Sequence, residues 1–105
     1  MAIISSALAR TAFALTEGTL FQPPTDDTTT IITNIVVVNT VASSANFTIL
    51  LDDTELFSNT VIPGNSTVSI DLRQVLDAQP APRKKITGFA TATTVKVHIS
   101  GVEII

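Results

Sequence analysis

The chain lacks most of the side chains on which catalytic and metal sites depend. Its 105 residues include no cysteine, tryptophan or tyrosine, and only one histidine, His98. Without cysteine there are no disulfides and no thiolate metal ligands. The side chains whose pKa values enzymes tune for acid–base or nucleophilic work are nearly missing. We therefore predict that the protein is not an enzyme, has no catalytic, metal-binding or cofactor-binding residues, and uses no cofactor.

Charged and aromatic residues are also scarce. Only 14% of the residues are charged and 5% are aromatic, and the net charge is −3. Proteins that bind nucleic acid need a positive groove, and single-strand binders need aromatic stacking platforms as well. The one basic cluster, Arg83-Lys84-Lys85, follows a proline-rich stretch. We interpret it as a solvated turn rather than a phosphate site, and we predict no nucleic-acid partner.

Long apolar runs are missing too. No uninterrupted apolar run exceeds four residues, which excludes a membrane-spanning helix. Residues 1–15 superficially resemble a secretory signal, but they lack a basic start and Arg10 interrupts their apolar stretch. We therefore expect no cleaved signal and no membrane partner. The lack of cysteine suits a protein made in a reducing cytoplasm.

Strand-forming residues, by contrast, are abundant. The chain has 17 Thr, 12 Ile and 10 Val, and β-branched residues favour pleated, half-buried surfaces. Seven or eight short segments at roughly ten-residue spacing are joined by turns rich in Gly, Pro, Asn and Asp. We predict an all-β fold: a single antiparallel β-sandwich domain over residues 1–105, immunoglobulin-like or jelly-roll-like, with seven or eight short strands.

The individual strands can be placed by their alternation. Strand 28–39 ends in a stretch, 35–38, that is apolar on both faces, as in a central strand or an interface. Segment 66–72 alternates most regularly. In the last strand, 94–105, Gly101 breaks the alternation and indicates a bulge. Further strands are predicted at 19–21, 47–51, 55–57 and 85–92.

Two segments allow a different structure. Residues 1–21 are predicted to be an arm or edge strand that contacts a neighbour, with a helix over 2–15 as the alternative. A helical turn is predicted at 73–78. These segments test the prediction that the chain is all-β.

Three groups of polar residues could in principle have a functional role, and each is compared with a purely structural one. His98 lies on the polar phase of its strand, without a second His or Cys, so we interpret it as solvent-facing or interfacial. The pairs Asp26-Asp27 and Asp52-Asp53 could bind calcium, but no calcium-loop motif surrounds them and turn chemistry explains them better. No serine sits in a nucleophile elbow.

The apolar content exceeds what one small core can hide. Apolar residues make up 45% of the chain, and the mean hydropathy is +0.44. Some of this surface should meet another subunit. We therefore predict a homo-oligomer or a component of a larger assembly.

The order of several segments resembles a known class of protein. Val37-Val38-Asn39-Thr40 closes one strand, and the aliphatic strand 47–51 follows. The turn 63–66, the stretch 72–76 and a closing segment, 95–104, come next. As an ordered set over residues 28–105 they resemble small β-sandwich virion structural proteins of tailed bacteriophages, of the capsid decoration (cement) type.

The resemblance implies a function without catalytic residues. A protein of this kind would be a virion component assembled in the host cytoplasm, a homo-oligomer with a trimer favoured, bound to the major capsid protein or other virion proteins. The alternatives are a phage tail or host-adhesion component and a small carbohydrate- or calcium-binding sandwich module. We expect contact surfaces at residues 1–21 and 31–38.

Overall fold

The protein is described by a computed structural model over residues 3–23, 28–76 and 84–104. These residues contain eight strands and no helix, and so none that is long and apolar enough to cross a membrane. The strands are β1 (Ile3–Ala12), β2 (Gly18–Phe21), β3 (Thr29–Asn39), β4 (Ala45–Leu51), β5 (Thr54–Ile62), β6 (Ser66–Leu76), β7 (Ile86–Ala90) and β8 (Val95–Ile104).

The strands form two four-stranded antiparallel sheets. Sheet A has the order β1-β8-β3-β6, and sheet B has the order β2-β7-β4-β5. Strands β1 to β4 therefore pair with β8 to β5 in reverse order, as if one long hairpin had been rolled into two layers. Eight strands arranged in this way form a jelly roll. The all-β prediction is confirmed, and of its two forms the jelly roll is the one observed.

The core lies between the sheets and follows from the alternation of the strands. In β3, Ile35 and Val37 are fully buried, while Val36 and Val38 are half-buried on the opposite face. The ring of Phe13, just after β1, stacks on Phe47 of β4 with 6.1 Å between the centroids. The other large, fully buried side chains are Ile32, Ile49, Ile62, Leu76, Ile86, Ile99, Val95 and Val97.

The turns use the residues that left-handed backbone favours. Asp52 and Asp53 join β4 to β5 with φ angles of 51° and 64°, as a two-residue type I′ hairpin requires. Asn65, with a φ of 53°, makes the turn before β6. The prediction that Asp52-Asp53 forms a tight hairpin turn is confirmed. The pair Asp26-Asp27 lies outside the described residues.

The predicted helical segments are strands where the structure describes them. Residues 3–12 form β1 at the edge of sheet A, so the helical alternative is wrong there. The helical turn at 73–78 is also wrong over residues 73–76, which continue β6 and pair with β3. A bulge places Leu72 and Arg73 opposite a single residue of β3, Thr33. The burial of β6 alternates without a break to Leu76. The apolar pattern of the sequence changes because Gln74 is polar on the inward phase and Val75 is apolar on the exposed phase.

A bulge also lies near Gly101, but it belongs to the neighbouring strands. Gly101 pairs with Ile32 and Ser100 with Asn34, which leaves Thr33 as the extra residue on β3. On the other side of β8, Leu8 is the extra residue of β1. A side chain at Gly101 would overlap the carbonyl oxygen of Ile31, which explains why glycine occupies the place between the two bulged strands.

Candidate interaction surfaces

The outer face of sheet A combines aliphatic and basic residues. Its strands align in cross-strand rows, of which one is Ser5–Val102–Ile31–Val75 at one end of the sheet. Val75 is 48% exposed, and Val102 and Ile31 are half-buried. The sheet therefore presents an aliphatic end to its surroundings.

The opposite end of the same face carries positive charge. The rows there are Arg10–His98–Val36–Ser69 and Ala12–Lys96–Val38–Thr67. Arg10, Lys96 and His98 are all exposed, and we call these three residues the basic corner. His98 thus lies on the outer face between Arg10 and Val36. The two rows contain no carboxylate.

In the middle of the outer face of sheet A, the side-chain amide of Asn34 links β3 to β6. Asn34 donates from Nδ2 to Oδ1 of Asp71 at 3.0 Å, across β3 and β6. Asp71 lies on β6, at the edge of sheet A opposite to β1. Its hydrogen bond to Asn34 holds the carboxylate away from Arg10 on β1. The charge of the basic corner is therefore not neutralised by Asp71.

The edge of sheet A at β1 differs from the other three sheet edges. β2 has only four residues, β5 is interrupted by two irregularities in its pairing with β4, and β6 carries Asp71 and Arg73. β1 has ten residues, one bulge, and a single charged side chain, Arg10. Proteins protect free edges with short strands, bulges and charges. β1 has the least protection, which suits a strand that pairs with a partner.

The outer face of sheet B holds a groove of about 470 Å³. Thr48, Leu50 and Phe89 come from the central strands β4 and β7, Glu55 and Asn59 from the edge strand β5, and Glu17 from the segment before β2. Thr48 and Leu50 are only 7% and 8% exposed although they face away from the core. We call this the sheet B groove. Its lining includes two carboxylates and no cation.

Hydrogen bonds fix the walls of the sheet B groove. Asn59 has a left-handed φ of 48° at an irregularity of β5, and its N–H donates to Oγ1 of Thr48 at 3.0 Å. Its side-chain oxygen accepts from Nδ2 of Asn46 at 2.9 Å. Glu17 accepts a bond from Oγ1 of Thr87 at 3.1 Å through Oε2. The groove is thus formed before any ligand enters it.

The described residues do not assemble a cluster of potential metal ligands. No group of three or more His, Cys, Asp or Glu within them could hold a metal ion. Of the predicted basic cluster, Lys84 forms an ion pair with Asp52, with 3.1 Å between Nζ and Oδ2. Arg83 lies outside the described residues. That the protein has no catalytic or cofactor-binding residue remains a prediction.

The contact segments predicted from the sequence contribute to these two surfaces unequally, and that they contact a partner remains a prediction. The predicted contact segments, 1–21 and 31–38, supply β1 and β3 of sheet A, on either side of β8. Of the lining of the sheet B groove, only Glu17 lies in a predicted contact segment, 1–21; the residues that come from β4, β5 and β7 were not predicted. One signal was available: Leu50 is apolar on the phase opposite to Phe47 and Ile49.

No family model matches the sequence, and no curated protein matches it. Solved structures with a similar fold include a chain of infectious bursal disease virus, Gx strain, with a TM-score of 0.55 and 11% identity over 97% of this chain and 32% of that chain. The VP2 subviral particle of infectious bursal disease virus gives a TM-score of 0.53 at 11% identity, over 97% of this chain and 32% of that one.

A third similar structure comes from disulfide-linked pili, the Bacillus endospore appendages. Its TM-score is 0.53 at 10% identity, over 96% of this chain and 86% of that chain. The present chain thus spans about a third of the virus-particle chains and most of the pilus chain. At this level of identity, the similarity establishes a shared fold.

Proposed function

We propose that this protein is a structural component of a virus particle, specifically a capsid decoration (cement) protein of a tailed bacteriophage. It acts as a homo-oligomer, with a trimer favoured, on the major capsid protein or other virion proteins. The observation that carries the proposal is the β1 edge, a ten-residue strand with one charge at the border of sheet A. The jelly-roll fold shared with virus-particle chains supports it.

The proposed mechanism is contact without chemistry. A strand of the partner adds to β1, and backbone hydrogen bonds fix its register. Nearby apolar side chains then become buried in the interface, and this burial contributes about 25 cal/mol of binding free energy per Å² of apolar area. Ile3 is 67% exposed and Ile4 46% exposed at the start of β1, so this strand also has aliphatic side chains to bury. Modest contacts of this kind, repeated over a shell, would stiffen the lattice.

Binding to expanded, empty phage capsids tests the proposal. Ala7 is exposed on β1, and Ala7→Lys places a charge on the free edge. We expect wild-type protein to cosediment with capsids saturably, in multiples of its oligomer. The variant should bind at least about tenfold more weakly, because charge blocks strand addition. Circular dichroism and thermal melting establish that the variant is folded.

The matched control is Val61→Lys on the β5 edge of sheet B. Val61 is also exposed, at 58%, and receives the same charge on an edge that the proposal does not use. Its capsid binding should equal that of the wild type. Equal binding by Ala7→Lys and wild type, or no saturable binding by the wild type, would contradict the proposed function.

A fibre or adhesion component of the phage tail is the second candidate, favoured by the pilus chain of similar length. This chain has no cysteine, so it would have to assemble without disulfides. Electron microscopy of concentrated protein separates the two candidates. Filaments, or binding to host cells in place of capsids, favour the second; closed oligomers that bind capsids favour the first.

A further inference from the structure

The two outer faces of the sandwich carry opposite charge where they are most open to a partner. The basic corner of sheet A exposes Arg10 and Lys96 beside the half-buried Val36 and Val38. The sheet B groove exposes Glu17 and Glu55 beside Leu50 and Phe89. Each face therefore joins two charges of one sign to an apolar surface.

The sheet B groove has the features that a long basic side chain requires. Its volume of about 470 Å³ is in the range of small-ligand pockets. Leu50 and Phe89 offer apolar contact to the methylene stem of a lysine or arginine, whose charged head can then reach a carboxylate. Oε2 of Glu17 is held by Thr87. Oε1 remains for an incoming cation.

The described part of the chain does not itself neutralise these charges. Its ion pair joins Lys84 to Asp52, whereas Glu17, Glu55, Arg10 and Lys96 form no ion pair with another described residue. The outer faces of sheet A and sheet B point in opposite directions, so the basic corner cannot enter the groove of its own molecule. A second molecule can bring them together.

We propose that a second copy of this chain covers the sheet B groove with its basic corner. Arg10 and Lys96 of one protomer would pair with Glu17 and Glu55 of the next, and Val36 and Val38 would pack near Leu50 and Phe89. The inference rests on the proposed function for its homo-oligomer and names the contact that forms it. Since the two surfaces differ, the contact is head-to-tail and can close into a ring, such as a trimer.

This arrangement leaves the backbone of β1 available for the virion partner. The subunit contact uses side chains on the outer face of sheet A, while strand addition uses the hydrogen-bonding groups at its edge. The charges are solvent-accessible at the rim, so salt should weaken the contact.

Sedimentation of the full chain, with no virion protein present, tests the inference. We expect the wild type to be oligomeric at 50 mM salt and its dissociation constant to rise at least about tenfold at 500 mM, because salt screens exposed charges. Reversal of one face, in Arg10→Glu/Lys96→Glu or in Glu17→Lys/Glu55→Lys, should give folded monomers. The variant with all four substitutions should recover the oligomer, because both faces have changed sign.

Variants that remove a charge without reversing it provide a second test if the charge-reversal variants do not fold. Arg10→Gln and Glu55→Gln should each weaken association several-fold, and their combination should weaken it less than the product of the two effects if the side chains pair. Arg73→Gln on β6 and Glu103→Gln on the inner phase of β8 are matched controls that should associate like the wild type.

Two results would overturn the inference: single-face reversals that associate like the wild type, or a folded four-residue variant that stays monomeric. Because capsids are left out, such a result removes the head-to-tail contact and leaves the proposed function to the capsid assay. A wild type that is oligomeric in this way but does not bind capsids would remove the proposed function instead.

Discussion

Sheet A is built from strands of 10 or 11 residues, whereas the strands of sheet B have four to nine. On the outer face of sheet A, the side chains of these long strands align in cross-strand rows, and β1 forms a free edge of the sheet. In sheet B, irregular pairing of β4 with β5 turns Asn59 toward Thr48, so the molecule itself covers part of the outer face. The long strands of sheet A thus offer an open surface to partners, and the irregular pairing of β4 with β5 forms a concave site on sheet B.

The two sheets also contain buried threonine hydroxyls that differ in their hydrogen bonding. Thr48, on the outer face of sheet B, is buried and accepts the N–H of Asn59. Thr30, on the inner face of sheet A, is fully buried, and its hydroxyl has no hydrogen-bond partner among the described residues. Of these two buried hydroxyls, that of Thr48 is paired and that of Thr30 is not, within the part of the chain that the structure describes.

The largest effect is expected in the core shared by the two sheets. Phe47 is 1% exposed and lies near both Phe13 and Phe57. Phe47→Ala should lower the free energy of unfolding by about 3–5 kcal/mol, because a large cavity remains. Phe89→Ala, on the half-exposed outer face of the same sheet, should cost only about 1 kcal/mol. Urea denaturation measures both, and equal losses would contradict the assignment of the two faces.

The two threonines give the next largest contrast. Thr48→Val should lower the free energy of unfolding by about 1–2 kcal/mol, because the N–H of Asn59 loses its acceptor. Thr30→Val should raise it by about 1 kcal/mol, because an unpaired buried hydroxyl is replaced by a methyl group. Thermal and urea unfolding of the two variants give the signs directly. Changes of the same sign would contradict the different hydrogen bonding of the two threonines.

The smallest effect is expected at the ion pair that joins the β4–β5 turn to the residue before β7. Lys84 and Asp52 have side chains that are 37% and 51% exposed. Lys84→Gln should cost about 0.2–1 kcal/mol at low salt, because solvent screens such pairs, and less at high salt. Lys96→Gln, which removes an equal charge from sheet A, is the control for the stability of the protomer, measured at low protein concentration. A loss above 2 kcal/mol would contradict this account.

Most of sheet A could be predicted from sequence. Its alternation is long and regular, so strands 28–39, 66–72 and 94–105 were placed within a few residues of β3, β6 and β8. The error at 73–76 has a local cause. Gln74 is polar on the inward phase and Val75 is apolar on the exposed phase, so the apolar pattern changes although β6 goes on alternating to Leu76.

The candidate site on sheet B could not be predicted in the same way. Glu17 and Glu55 are far apart in the chain and meet at the groove only because β2 and β5 lie on either side of β7 and β4. The left-handed Asn59 interrupts β5 at a position that sequence gave no reason to expect. Strand order and bulges depend on tertiary packing, which a local pattern does not contain.

The pairing of the first strand with the last also has consequences for synthesis. β1 finds its only neighbour in sheet A in β8, which ends at Ile104. While the ribosome is still making the chain, β1 has no partner, and the other long-range pairings of the roll must form across slow loop closures. Sheet A can therefore close only after β8 has been synthesised, and until then the hydrogen-bonding groups of β1 lack the strand that pairs with them.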